Sequence, residues 1–357
     1  MSTKEHDREV IGSVGGLASA VAVETHGELG ETEEIRARGY WEQVWIRFRR
    51  DKAAIAGGVF IIFMFFAAYG GAPLAKHLLG HGPNDQFILA ALNSKGAPAG
   101  PWSHISTDLT GTCTAHCPTT LYILGSDGEL GRDEFLRLLY GAQVSLEVAL
   151  GATIVSMCLG ILLGSIAGYF GGWVDMIVSR LTEIVMAFPF LLFVVALSST
   201  VGQRLNDITF GGLIGRGVFT LVTVIGLFSW FYPARIVRAQ VLSLREKEFV
   251  EAARMVGASD FRIIRSHLLP HLVAPIIVYS TLIVAQNILF EAGLSFLGVG
   301  IPLPQASWGN LLEEAPKYYT AQPWLMLWPG LTVLLATLAF NLLGDGLRDS
   351  FDPRSSH

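Results

Sequence analysis

The sequence is short of charge. Only 15% of its 357 residues are Asp, Glu, Lys or Arg, where a soluble domain carries about 25%. With 51% hydrophobic residues and a mean hydropathy of +0.47, it cannot clothe a water-facing globule, which excludes an ordinary soluble enzyme. Basic charge is not in excess either: the net charge is −5, which argues against a nucleic-acid binder. Cysteine is scarce, at three residues, and no pair has zinc-finger spacing. No G-x-x-x-x-G-K-[ST], H-E-x-x-H or G-x-S-x-G string occurs. The chain therefore has no phosphate-cradling loop and no catalytic motif of those kinds.

The missing charge is concentrated in long apolar runs. Charge-free windows cover 53–75, 148–174, 184–203, 217–234, 272–290 and 318–344, each near the ~20 residues that cross a bilayer core. They predict six transmembrane helices. The first begins at Ala53, too deep for a secretory signal peptide, and no credible cleavage site follows it. Arg36, Arg38, Arg47, Arg49, Arg50 and Lys52 precede it and place the N-terminus in the cytoplasm by the positive-inside rule. Under that topology 18 Lys and Arg lie inside and 7 outside, of 25 in all. Residues 292–312 are also uncharged but are broken by Gly and Pro. Such backbone cannot satisfy its own hydrogen bonds in lipid, so it belongs at the outer interface or in a protein-lined mouth.

The expected organisation runs as follows. Residues 1–52 form a cytoplasmic tail whose end carries Trp41, Trp45 and Phe48 at helical spacing, an amphipathic membrane-surface helix. Residues 53–75 are the first span and 76–140 an external insertion. Residues 141–345 hold five further spans with a cytoplasmic loop at 235–271, and 346–357 return to the cytoplasm. The loop reads as two short helices. Ser243 and Glu246 have capping-box spacing. Phe249, Val250, Ala253 and Val256 share a helical face. Gly257 is a helix stop, Ser259 caps the second helix, Asp260 suits its first turn, and Pro270 ends it.

The string Glu251-Ala252-Ala253, then Gly257, then Pro270 resembles the "EAA" loop of ABC importer membrane subunits. The fuller stretch EAARMVGASDFRIIRSHLLPH resembles the dipeptide, oligopeptide and nickel permease branch. So do GSDGELGRD (125–133), GYFGGWVD (168–175), AFP (187–189), EAGLSFLGVG (291–300), SWGN (307–310) and AFNLLGDGLRDSFDPR (339–354). The resemblance implies an all-α integral membrane protein of the ABC importer type I transmembrane fold. It implies an ATP-driven importer of peptides, or of related solutes such as nickel complexes, in the cell membrane. It implies as partners a second, non-identical permease subunit, two cytoplasmic ATPase subunits, an external solute-binding protein and membrane lipid, with no nucleic acid and no cofactor. Glu251, Ala252, Ala253, Gly257, Asp260 and Pro270 would form the ATPase-coupling loop.

Other residues leave alternatives open. Gln286, Asn287 and Asn341 sit in apolar spans, where polar groups either line a water-filled path or bind neighbouring helices together. Glu291 follows the fifth span; Glu147 and Glu183 flank spans. Cys158 reads as a small buried residue. Cys113 and Cys117, placed outside, can be a disulfide, free thiols, or part of a metal site with His116 and His104 or Asp108. An ion-coupled secondary transporter is the alternative function, and it would require intramembrane carboxylates or histidines. A membrane sensor would need a cytoplasmic signalling domain that the sequence does not show.

Overall fold

Asp51 starts the first long helix. Its carboxylate accepts from the backbone N–H groups of Ala53 and Ala54 at 2.9 and 3.1 Å, satisfying donors that a helix start leaves open. The computed structural model describes residues 39–88, 91–92, 97–106, 119–205 and 216–352. Contacts divide the chain into one unit ending at Ile46 and another beginning at Arg47. Across that boundary runs α1, Tyr40–Phe48, with Trp41 and Trp45 both exposed.

In the larger unit α2, Lys52–Leu79, contains a π-helical turn at Ala67–Gly71. Among the described residues, four short strands follow in two antiparallel pairs: β1 (Ser103–Ser106) with β2 (Thr119–Tyr122), and β3 (Ser126–Asp127) with β4 (Arg132–Asp133). A buried ion cluster ties this segment down. Asp127 pairs with Arg132 at 2.8 Å and Arg137 at 2.7 Å, and Arg132 reaches Glu314 at 3.4 Å. His81 hydrogen-bonds Asp133 at 2.8 Å and stacks on Tyr122.

Asp133 caps α3, Glu134–Phe170. Its 37 residues span about 55 Å, so the helix overshoots a bilayer core. It begins well before the charge-free window at 148–174, and Glu147 therefore lies along the helix, bonded by the Tyr69 hydroxyl at 3.2 Å. The next two spans are bent. Helix α4, Gly172–Ala187, meets α5, Phe190–Leu205, at 85°. Pro189 lies in the break, with no N–H to continue the first helix. Helix α6, Val218–Ser229, meets α7, Phe231–Leu244, at 41°. Among the described residues, four helices are long and apolar enough to cross a membrane, or up to six if each bent pair is one span.

A run of small residues lets α3 and α7 touch. A Cβ on Gly164 would stand 2.5 Å from the Ala234 carbonyl oxygen, and one on Gly168 2.8 Å from Val241 Cβ. With Gly160 at the same four-residue spacing, this is close backbone approach of the kind membrane helices use. Cys158 is exposed on α3, contrary to the expected burial, because Ser156, Met157 and Gly160 take the inward positions.

After α8, Glu248–Met255, a continuous helical run α9 extends over Asp260–Phe296. Pro270 does not end a helix, as expected, but lies inside this run. The turn before it, Ile263–Leu268, is π-helical, and such wide turns absorb a residue that breaks the regular ladder. Glu291 is inside α9 and fully buried, accepting from the Ser295 hydroxyl at 2.8 Å. The broken stretch then folds into protein. Ser307 and Asn310 make a capping box for α10, Trp308–Glu314, and Trp308 is wholly buried. Helix α11, Trp324–Phe351, packs on α2 and α9 through Ile61, Met64, Ile288, Val333 and Phe340.

Candidate functional site

The loop between α7 and α9 is built differently from its sequence pattern. Ser243 lies inside α7, which runs on to Leu244, and α8 starts only at Glu248 with Lys247 at its N-cap and no side-chain cap. The Ser243–Glu246 capping box is therefore not formed. Packing of Val237 and Val241 in a buried cluster holds α7 helical past the cap signal.

At the other end of α8 the turn is specific. Gly257 has φ +86°, which a Cβ resists. The Gly257 N–H donates to the Arg254 carbonyl at 2.9 Å, and the Ala258 N–H to the Ala253 carbonyl at 3.0 Å. These are the two bonds of a Schellman motif. Ser259 occupies the N-cap position of α9 without a side-chain bond.

The motif turns apolar groups outward. Val250 faces a cluster with Tyr169, Val237, Val241, Ile263, Leu268 and Leu272. Val256 does not join that face, as expected from spacing; it is 90% exposed, beside Met255 at 83% and Phe261 at 71%. The non-helical turn rotates Val256 away from the face that Phe249, Val250 and Ala253 share. Glu251 and Ala252 are exposed too, and Ala253 is half-buried. A hydrophobic tip of this kind marks an interaction site more than a solvated loop.

The tip is fastened to α3. The Tyr169 hydroxyl donates to Asp260 at 2.6 Å. The Arg254 guanidinium lies 5.4 Å from the centre of the Tyr169 ring, in cation–π range. Arg245 donates to the Gly168 carbonyl at 3.1 Å, at the helix end where cations are favoured. Sequence reading missed Tyr169, Met255 and Phe261. GYFGGWVD signalled family likeness, but nothing in the string places Tyr169 against Asp260.

The remaining predicted residues are scattered. Asn287 is buried and donates to Thr153 Oγ1 at 2.9 Å, a helix-to-helix contact. Gln286 is exposed and lines a cavity of about 110 Å³ with Phe190, Ser229, Tyr232, Asn287 and Phe290. Asn341 is exposed on α11. Glu183 pairs with Arg180 at 2.7 Å on α4. Cys113 and Cys117 lie outside the described residues, as do His116 and Asp108.

The model of the family described as "Binding-protein-dependent transport system inner membrane component" matches residues 160–357, which contain the whole loop and both bent spans. The chain belongs to this family. A second model, the N-terminal transmembrane domain of oligopeptide transport permease C, matches residues 39–95. Among curated relatives, the oligopeptide transport system permease protein OppC of Haemophilus influenzae is 34% identical, covering 91% of this chain and 92% of its own. The dipeptide transport system permease protein DppC of Alkalihalophilus pseudofirmus is 36% identical, over 90% and 92%. The glutathione transport system permease protein GsiD of Pectobacterium atrosepticum is 33% identical, over 88% and 91%. A solved structure titled for inward-facing conformations of the MetNI methionine ABC transporter aligns at 18% identity with a TM-score of 0.46, covering 60% of this chain and 96% of that one.

This family member is thus a multi-pass inner-membrane permease subunit of the ABC importer class, not itself an enzyme. Importers of this class generally also comprise an ATPase and a solute-binding protein. The ion-coupled alternative finds no support among these relatives.

Proposed function

We propose that this chain forms half of the translocation pore of an ATP-driven importer of short peptides, with residues 245–271 as the loop that an ATPase subunit grips. One observation carries the reading: three large apolar side chains, Met255, Val256 and Phe261, project around a rigid Schellman turn that is bonded to the end of α3. A partner covering that tip moves α3 with it, and α3 runs over 37 residues. Since the sequence has no nucleotide-binding loop, the ATPase is another chain. Peptide as substrate rests on the relatives' names, which include oligopeptide, dipeptide and glutathione systems.

In this reading the loop and both termini are cytoplasmic, supported by the 18-to-7 basic asymmetry, and residues 76–140 face outside. A second, related permease completes the pore, and two ATPases sit beneath. Gln286, Asn287 and Asn341 serve the pore or its walls. Cys113 and Cys117 form an external disulfide. The test is uptake of labelled di- and tripeptides into vesicles holding this chain, its second permease, ATPase and binding protein. Uptake requires ATP, and Val256→Asp abolishes it with normal insertion. Uptake driven by an ion gradient without ATP would overturn the proposal.

A further inference from the structure

A cavity of about 110 Å³ lies where both bent spans change direction. Phe190 opens α5 directly after the break at Pro189, and Ser229 closes α6 directly before the bend at Trp230. Tyr232 of α7 and Gln286 and Phe290 of α9 continue the wall. The Phe190 and Phe290 rings stand 4.5 Å apart between centroids, which makes one side of the wall a packed aromatic surface. Among the described residues, no charged side chain lines the cavity. Ser229 is the anomaly in it. Ser and Thr inside helices commonly return the hydroxyl to a carbonyl one turn back, as Ser280 does to Ile276 and Thr153 to Ala149, both at 2.7 Å. Ser229 is only 6% exposed, and its hydroxyl has no hydrogen-bond partner. A buried hydroxyl left so is costly. Gln286 is exposed on the same cavity and makes no hydrogen bond among the described residues.

The walls say what fits. At about 30 Å³ for a water-sized group, 110 Å³ takes about four heavy atoms, the content of a Leu side chain. An ion or a charged chain terminus would enter a site with no counter-charge, at a large desolvation cost. A metal complex would find no His, Cys, Asp or Glu in the wall. A neutral amide beside an apolar group meets both demands: the apolar group fills the aromatic cavity, and the amide pairs with the Ser229 hydroxyl and the Gln286 side chain. We infer that this cavity is a subsite for one uncharged apolar side chain of a peptide and the peptide bond next to it. The subsite rests on the import of peptides proposed above. It adds that the permease itself, and not the binding protein alone, selects apolar residues at one position of the cargo. An occupant touches both bent spans at their breaks, since Phe190 and Ser229 stand beside Pro189 and Trp230.

The test uses the assembled importer in vesicles, with both permeases, the ATPases and the binding protein. During turnover it is given the tripeptide Ala-photoleucine-Ala, whose diazirine side chain labels what it touches, and the label is mapped by mass spectrometry. The site predicts label on the segments that carry Phe190, Tyr232 and Phe290. Ser229→Leu fills the cavity. It is expected to lower that label, and the ratio of Ala-Leu-Ala to triglycine uptake, about tenfold, the order set by an apolar side chain that loses its burial. The binding protein is the same throughout, so the change in ratio reports on the permease. Ser229→Ala keeps the space and removes only the hydroxyl, and is expected to lower the label about fivefold, as for one lost hydrogen bond; it carries the test if Ser229→Leu does not insert. Unchanged label and ratio in the variants, as for a cavity that holds only water, would overturn the subsite. So would label confined to other segments or to the second permease while uptake proceeds. Absence of uptake of any peptide by the wild-type importer is a different result: it would refute the import reading itself.

Discussion

Replacing Gly257 separates two demands on the coupling loop, backbone conformation and space. A Cβ at this position meets nothing within 4 Å, so substitution clashes with no part of this chain. The cost is in the backbone. At φ +86° a residue with a Cβ loses about 1–2 kcal/mol, and a β-branched one is disfavoured further. If Val leaves that conformation to escape the strain, the Gly257 and Ala258 N–H bonds to Arg254 and Ala253 are lost, each worth about 1 kcal/mol net. Either way the turn is weakened by about 1–2 kcal/mol, and its native geometry is populated some 5- to 30-fold less against competing forms. Asn tolerates positive φ and costs less. Gly257→Val is expected to insert at wild-type levels, because the helix bundle does not depend on the turn, while peptide uptake by the reconstituted importer falls at least fivefold. Gly257→Asn is expected to keep most of the uptake. Wild-type uptake by Gly257→Val would refute the reasoning; equal damage by Asn would show that bulk at a partner contact, not φ, is what the position excludes.

Tyr169→Phe removes the 2.6 Å bond to Asp260 and leaves the exposed tip intact. ATPase subunits should then co-purify normally, while ATP hydrolysis rises relative to peptide uptake. Full coupling would show that this tether is dispensable. Gly164→Ala places a methyl 2.5 Å from the Ala234 carbonyl oxygen and forces α3 from α7; about 1–3 kcal/mol of overpacking should lower the melting temperature of the detergent-solubilised protein, and an unchanged value would contradict the contact. His81 makes the β-strand segment pH-dependent. Burial opposes its imidazolium, but the bonds to Asp133 and to the Leu79 carbonyl outweigh it and hold its pKa above the ordinary value. A raised pKa stabilises fully below about 6.5, the ordinary value, and the stabilisation is lost as pH rises through the folded-state pKa. Amide exchange in β2–β4, corrected for intrinsic rates, should therefore be faster at pH 8 than at pH 6. His81→Gln should flatten that difference, and a persisting difference would implicate another group.

Much of this fold is legible in composition, because hydrocarbon imposes its rule on every span: charge must vanish over some 20 residues. That rule located α2, α9 and α11 and the two bent spans. It did not reveal that α3 runs over 37 residues, since its first 14 positions are amphipathic and held against the β-strand segment by the Asp127–Arg137 pair. Pro189 signals its break through its missing N–H, but nothing in the sequence reveals the bend at Trp230, where angle depends on packing. At the loop, local chemistry was a good guide for Gly257, whose conformation is a property of one residue. It failed for Ser243–Glu246, where packing of Val237 and Val241 extends α7 through a cap signal. It failed at Pro270, where a π-helical turn absorbs the proline. Tyr169 touches Asp260 across 91 positions, and no local pattern encodes that pairing.

The central claim is that the exposed tip of the loop is where an ATPase holds this permease. A single cysteine in place of Val256, in the assembled importer with its other accessible cysteines removed, tests it directly through a short-span cross-linker. The account predicts a cross-linked product containing this chain and the ATPase, abolition of peptide uptake on cross-linking, and far less product from a cysteine at Leu303, which is exposed but lies between α9 and α10, away from the loop. Equal cross-linking from both positions, or none from Val256→Cys in a transport-competent complex, would contradict it.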